Sequence, residues 1–470
     1  MTTRQEIERM PPTKIIRLRE AVKSMKVDGS TVDEAYFWLN EKGRIIEPAY
    51  CEALLSRTPM VCVHGKLYGV DGLCPDNQVS RDILLDIRDY VTSNVASKVS
   101  NLLSALKIYC SVDQLPVCED RIHFMNGTYF LDRGFVPQKE ICMNRLPVNY
   151  NPQAAEPARW ISFLRELFYE DEIPMVQEFL GYCLIPTTRA QKMLLVIGNG
   201  GEGKSRIGRV MRAVFGDNMN VTSIQKLACD RFCRADQEGI LVVVDDDMRM
   251  DALEDTNNLK QIVTVEGKVD LERKGQQSVQ GLLYVRVMGF GNGTLSALYD
   301  RSDGFYRRQL VVLTKPKDKD RIDDVMLGEK LAAEVEGIVL WMLEGLHRLI
   351  SQDFHFTISE RTRQNMDEIR RSDNNIMEFY ESTGYIRFEK GTYASTRDLY
   401  IAYVQWCMDN AEKPLSEKTF STQLRKNATE LGIEYDKNLD VEGGKKARGY
   451  RGVHVQINTK IRRYLVRQGR

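Results

Sequence analysis

The sequence predicts an α/β protein whose central block folds around a mostly parallel sheet. Three observations carry that prediction. Between residues 191 and 350, four short apolar runs ("KMLLVIG", "ILVVVDDD", "LLYVRVMGFGN" and "RRQLVVLT") alternate with segments of helical periodicity. The runs are apolar at most positions rather than at every second one, as strands covered on both faces are. The first run leads through a glycine-rich loop straight into an amphipathic helix, the kind of crossover that parallel strands require. The 470 residues are 43% apolar and 28% charged, a globular composition long enough for two to four domains. Lys and Arg together number 66, as do Asp and Glu, so a polyanionic partner would have to be held by local basic surfaces.

Taken in order, residues 1–115 read as an N-terminal accessory or interaction region. Its opening, "MTTRQEIERMPPTKIIRLRE", lacks the apolar core of a secretory signal, and no run is apolar for long enough to span a bilayer. A cytoplasmic protein without a membrane partner is the expectation. Ten scattered cysteines, the closest pair being Cys229 and Cys233, fit reduced thiols rather than a zinc or disulfide framework. Residues 62–72 and 123–134 each place a glycine-bearing turn between alternating apolar residues, and Asn126-Gly127 is a strong two-residue turn signal.

Residues 116–190 form a helical domain ahead of the central block, with "PARWISFLRELF" and "PMVQEFLGYCL" as amphipathic helices that open on proline. The block itself spans 191–350 and closes with a helix from Lys330 to Ile350, whose stripe Leu331, Val335, Ile338, Val339 and Met342 is core. A polar linker covers 351–375. Residues 376–457 then give helix, helix and a Gly- and Lys-rich hairpin, the order of a winged-helix domain, and 458–470 is a basic tail.

The loop "GNGGEGKS" (198–205) carries the chemistry. Its pattern, G-x-x-x-x-G-K-[ST] between a strand and a helix, is that of a P-loop. Glycines let backbone N–H groups converge on phosphate oxygens with no Cβ in the way, and the helix brings its unpaired first amides and positive dipole end to the same point. Gly198, Asn199, Gly200, Gly201, Glu202, Gly203, Lys204 and Ser205 are the candidate nucleotide-binding residues. Lys204 would reach the β- and γ-phosphates of ATP, and the Ser205 hydroxyl would ligate Mg²⁺. Ile207, Val210, Met211, Val214 and Phe215 are the buried stripe of the helix, and Gly216 stops it.

Three carboxylates at the tip of a buried strand repel one another unless a cation is near. Asp245 is therefore assigned to Mg²⁺ and Asp246 to orienting and deprotonating the attacking water, with Asp247 a cap for the next segment; which two of the three act stays open. Beyond them the chain reads as helix, strand, basic hairpin tip and a strand ending in Asn292, which would hydrogen-bond the γ-phosphate. The tip holds Arg273 and Lys274, suited to gripping successive phosphates of a nucleic-acid strand, although such a turn alone is usually only solvated.

Phosphate loop, "VVVDDD", "EGKVDLERK" and "GFGN", all within 198–292, resemble the four ordered motifs of superfamily 3 helicases, nearest to the phage, plasmid and poxvirus primase-helicase group. "DGFYRRQLVVL" is similar to that group's arginine-finger segment, and residues 150–186 to its helical domain. The resemblance implies an AAA+-like P-loop ATPase core, ATP and Mg²⁺, and Lys204, Asp245, Asp246 and Asn292 as catalytic residues. It further implies Arg307 or Arg308 as the finger, Lys274 on DNA, and a homo-oligomeric ring, a hexamer in the family. Two departures stand: Asp occupies the base position where many members have Glu, and residues 1–115 show no acidic metal triad of a primase.

In the C-terminal unit "SEKTFSTQLRKNATELG" would be a recognition helix exposing Lys418, Arg425 and Lys426, and the wing would bear Lys445, Lys446, Arg448 and Arg451. The expected function is thus an ATP-dependent replicative DNA helicase of a phage or mobile element, threading single-stranded DNA. The rivals are a primase-helicase with an unrecognised priming domain and a non-unwinding origin-binding ATPase or loader. A separate primase or single-strand binding protein is a possible partner.

Overall fold

A computed structural model describes residues 38–40, 42–248, 256–264, 267–275, 277–292, 303–317, 324–372, 375–412, 414–429, 431–441 and 445–457. The basic tail and the first 37 residues, including the opening segment read above, lie outside them. The chain divides after Leu115 into two compact units.

In the first unit, helix α1 (Glu47–Arg57) precedes a three-stranded antiparallel meander, β1 (Met60–Val63), β2 (Lys66–Gly69) and β3 (Gly72–Cys74), followed by α2 (Asp76–Ile87) and α3 (Val95–Tyr109). The β1–β2 turn is His64-Gly65, both at positive φ (46° and 78°), which matches the right-handed strand twist. Leu67, Ile83, Ile87, Leu102 and Leu106 are buried together beneath Trp38 and Tyr50.

The second unit begins with another meander, β4 (Arg121–Phe124), β5 (Gly127–Phe130) and β6 (Gly134–Val136). Phe124 pairs with Gly127, so the turn residues are Met125 and Asn126, one position earlier than the Asn-Gly signal indicated. Asn126 instead fixes the neighbouring chain, exchanging hydrogen bonds of 2.9 Å with the backbone of Tyr150. Helices α4 (Ala158–Leu167) and α5 (Ile173–Tyr182) follow.

The central sheet contains β7 (Met193–Ile197), β8 (Met219–Val221), β9 (Val242–Met248), β12 (Arg286–Gly291) and β13 (Gln309–Leu313), in the order β13-β7-β12-β9-β8 with every pairing parallel. Between them lie α6 (Ser205–Phe215), α7 (Ile224–Cys229), α8 (Asn257–Thr264) and the antiparallel hairpin β10 (Lys268–Leu271) and β11 (Val279–Leu282). Strand alternation explains the continuous apolar runs. Leu194, Val196, Val242, Val244, Met288, Phe290, Leu310 and Val312 enter a core with α4, α5 and α6, whereas Met193, Leu195, Val243, Val287 and Val311 enter a second core with α7 and α8. The parallel α/β core is thus as expected, and the run "LLYVRVMGFGN" splits between the hairpin and β12.

The closing helix is two: α9 (Leu327–Ala332) and α10 (Val335–Ser351), with the expected stripe buried or half-buried across the break. Helices α5 and α10 cross at Gly181, where a Cβ would lie 2.3 Å from the Met342 carbonyl and 2.6 Å from the Leu346 nitrogen. Gly181→Ala is expected to cost about 1–3 kcal/mol by forcing these backbones apart. Denaturant unfolding should show a lower midpoint at unchanged slope; a variant as stable as the parent would mean that the crossing yields freely.

The segment expected as a polar linker contains α11 (Glu360–Ser372), which packs on β13. Two buried carboxylates hold its approach: Glu178 accepts from Arg348 Nε (2.6 Å) and from the Thr357 amide (2.7 Å), and Glu172 accepts from Thr362 Oγ1 (3.2 Å). Beyond it come α12 (Asn375–Glu381), β14 (Ile386–Ser395), α13 (Thr396–Asp409), α14 (Glu417–Asn427), β15 (Glu434–Val441) and β16 (Lys445–Val455), the strands forming an antiparallel sheet ordered β14-β16-β15. Its core is aromatic, with the Tyr403 and Phe420 rings stacked at 4.8 Å. No helix among the described residues is long and apolar enough to cross a membrane.

Candidate functional site

Parallel strands all deliver their C-terminal ends to one edge, so the ends of β7, β9 and β12 meet there. The loop from Gly198 to Lys204 turns by placing Gly200, Gly201 and Gly203 at φ of 100°, 82° and 105°, a region that side chains disfavour. It delivers Ser205 as the first residue of α6. Lys204 is 8% exposed, and its Nζ donates to Glu202 Oε2 (2.9 Å) and to Asn292 Oδ1 (3.2 Å), which sits just past the end of β12. The residues expected to share a nucleotide therefore do converge: Lys204 and Asn292 are 88 positions apart in sequence and in direct contact.

The acidic trio divides by strand alternation. Asp246 faces α6, where its Oδ1 would lie 3.7 Å from a Cβ on Gly208, and the neighbouring Ser205 hydroxyl favours its charged form. Asp245 points to the other face, is 5% exposed, and accepts from the Ile224 amide (2.8 Å) at the start of α7 and from the Asp247 amide (3.3 Å). This corrects the expected pairing of Ser205 with Asp245: period two turns Asp245 away from the loop, and Asp246 is the carboxylate beside Ser205. Desolvation raises the carboxyl pKa of both residues above its ordinary value.

Glu202 is the residue that pattern reading undervalued. It is 3% exposed; Oε1 accepts from the Asn199 amide (2.6 Å), and Oε2 accepts from the Gly200 amide (3.0 Å) besides Lys204. Burial acts to raise its pKa, but the Lys204 ammonium and the amides outweigh it and hold the carboxyl below its usual range. Motif spacing treats position 202 as variable, so no signal marks it. The donor set does fit an anion, because it already holds one.

Of the basic hairpin tip, Lys274 is exposed beside Gly275, whereas Arg273 is drawn back to a salt bridge with the buried Glu238. Arg273 thus roots the hairpin instead of extending it. Arg307 and Arg308 precede β13, beside the start of β7: the Met193 amide donates to the Arg308 carbonyl (2.8 Å), and Lys192 Nζ donates to that of Arg307. Five strand residues, about 17 Å, separate them from the loop edge. Arg308 donates to the Gly304 carbonyl, and Arg307 is exposed.

In the C-terminal unit Lys418, Lys446, Arg448 and Arg451 are exposed. Exposed Arg425 lies over the Tyr435 ring at 4.4 Å, and Arg451 pairs with Asp436 at 2.7 Å. The side chains of Lys426 and Lys445 lie outside the described residues. All ten cysteines are free thiols. No cluster of three or more His, Cys, Asp or Glu among the described residues is set to hold a metal ion by itself. Mg²⁺ ordinarily takes one or two carboxylates and completes its shell with water and substrate phosphate, so a Ser205–Asp246 pair suffices.

Residues 371–451 match the family model described as poxvirus D5 protein-like, and residues 196–308 match a family of unknown function, DUF5906. The first match falls on the C-terminal unit and supports the D5-like group that the motifs of 198–292 resemble. No curated protein matches the sequence. Among solved structures, the apo C-terminal region of NrS-1 covers 87% of this chain with 100% of its own length, at 12% identity and a TM-score of 0.51. An A-form apo structure of the same region covers 87% and 99%, at 13% identity and 0.49. At such identity the first likeness is one of fold.

Proposed function

We propose that this chain is an ATP-dependent DNA helicase of the D5-like primase-helicase group, acting as a ring on single-stranded DNA. The observation that carries the reading is the meeting of Lys204 with Asn292, and of Ser205 with Asp246, at one edge of a parallel sheet. Three segments distant in sequence supply the positive charge, the amide reporter and the carboxylate that phosphoryl transfer to water needs. The loop amides and Lys204 bind the phosphates, and Ser205 and Asp246 would hold Mg²⁺, which supplies charge neutralisation between them.

Two features favour a ring motor over a single-chain ATPase. Arg307 stands at the far end of the sheet from its own loop, so a finger role requires a neighbouring copy. Lys274 projects from a hairpin that is itself joined, through β12, to Asn292, which gives nucleotide state a short mechanical route to DNA. The C-terminal helices and hairpin, with Lys418, Lys446 and Arg448, would add a winged-helix contact to duplex backbone.

Lys274→Ala is expected to abolish strand displacement on a forked duplex and the stimulation of ATP turnover by single-stranded DNA, with nucleotide affinity unchanged. Displacement at the parent rate would remove the hairpin from the mechanism and favour the loader reading.

A further inference from the structure

The loop residues that would hold phosphate are engaged by a carboxylate of the same loop. Glu202 takes two backbone amides, from Asn199 and Gly200, and the Lys204 ammonium, at 2.6, 3.0 and 2.9 Å. Its carboxylate also lies where Gly198 comes close: a Cβ there would be 3.0 Å from Glu202 Cδ and 2.8 Å from Lys204 Nζ. A planar anion on convergent amides and an ammonium is the arrangement that phosphate oxygens adopt in such loops.

We propose that Glu202 is an internal competitor for the phosphate site: its carboxylate fills the loop's anion donors, and a nucleotide binds by displacing it. The inference rests on the nucleotide-binding reading above and concerns selectivity within that site. A carboxylate brings one negative charge and two oxygens. A ligand that displaces it must gain contacts beyond the donors that Glu202 fills, as a magnesium-bound di- or triphosphate does by reaching on to Ser205 and Asp246, whereas inorganic phosphate engages only the donors already taken. Glu202 thereby tunes the loop against small cellular anions. Displacement also frees Lys204 to turn from Glu202 towards the incoming phosphates, while Asn292 stays within its reach. Uncompensated burial of the released carboxylate would be costly, so the side chain must swing to solvent; the loop's glycines at positive φ give it room to do so.

The full-length protein is titrated with mant-ATP and Mg²⁺, and inorganic phosphate is used as a competitor. Glu202→Gln keeps the shape but removes the charge, and Glu202→Ala removes the group, so a folding fault in one variant leaves the other. If the filled loop holds nine molecules in ten, both variants bind mant-ATP about tenfold tighter. Inorganic phosphate at millimolar concentration competes in the variants and not in the parent. Affinity equal to or weaker than that of the parent in both variants overturns the proposal and makes Glu202 a brace that shapes the loop for nucleotide. Lys204→Ala separates the two levels: if it binds mant-ATP as the parent does, the nucleotide site itself is misplaced, and the competitor with it.

Discussion

Arg307→Ala is expected to lower the kcat of ATP hydrolysis by about 10³-fold or more, the scale at which a finger arginine acts on phosphoryl transfer. Nucleotide affinity should hold, because the residue sits about 17 Å of strand away from the loop of its own chain. Arg308→Ala should behave differently. Its guanidinium is engaged by the Gly304 carbonyl, so its loss would loosen the turn before β13 rather than the chemistry. The decisive measurement is a mixture. Lys204→Ala disables the phosphate loop of one copy and Arg307→Ala the finger of the next, so rings assembled from both contain some pockets with an intact loop and an intact finger. Activity should reappear on mixing two inactive proteins. If every ratio stays inactive, or if the parent hydrolyses ATP at full rate as a single chain, the shared pocket is wrong.

Asp246→Asn is expected to reduce Mg²⁺-dependent hydrolysis by about 10²–10³-fold while the fold is kept, since the residue pairs with Ser205 at the exposed tip of β9. Asp245→Asn should show the opposite balance. The charge-assisted bond from the Ile224 amide to the Asp245 carboxylate is buried, and weakening it costs roughly 1–3 kcal/mol. Thermal melting should therefore fall, with turnover reduced only through α7. Equal melting temperatures with a dead Asp245→Asn enzyme would return the metal role to Asp245.

These two experiments separate what was legible from what was not. The parallel core was legible because strands buried on both faces must be apolar throughout, and α6 because Ile207, Val210, Met211, Val214 and Phe215 recur at helical spacing. The meeting of the glycine loop with Asn292 was legible through motif order alone. The facing of the acidic trio was not: three identical residues in a row carry no phase, the register of β9 on β12 shifts beyond Asp245, and only the packing of Asp245 on α7 and of Asp246 on α6 assigns sides. The same limit applies to Arg273 and Lys274, adjacent and equally basic, of which one is claimed by Glu238, 35 positions upstream. The break between α9 and α10 and the helix inside the presumed linker were missed because polar helices such as α11 gain their stability from the surface they pack on.

By itself the sequence determined four of the five strands of the parallel sheet, all but the short edge strand β8, together with the phosphate-loop pattern and the order of the candidate site segments, since these depend on local periodicity and on residue types with few alternatives. Only the tertiary structure decided which carboxylate stands beside Ser205, which arginine is exposed, and that Glu202 fills the loop. Those outcomes depend on direction and distance between segments, and a buried charge is satisfied by whichever partner the packed chain brings within hydrogen-bonding reach.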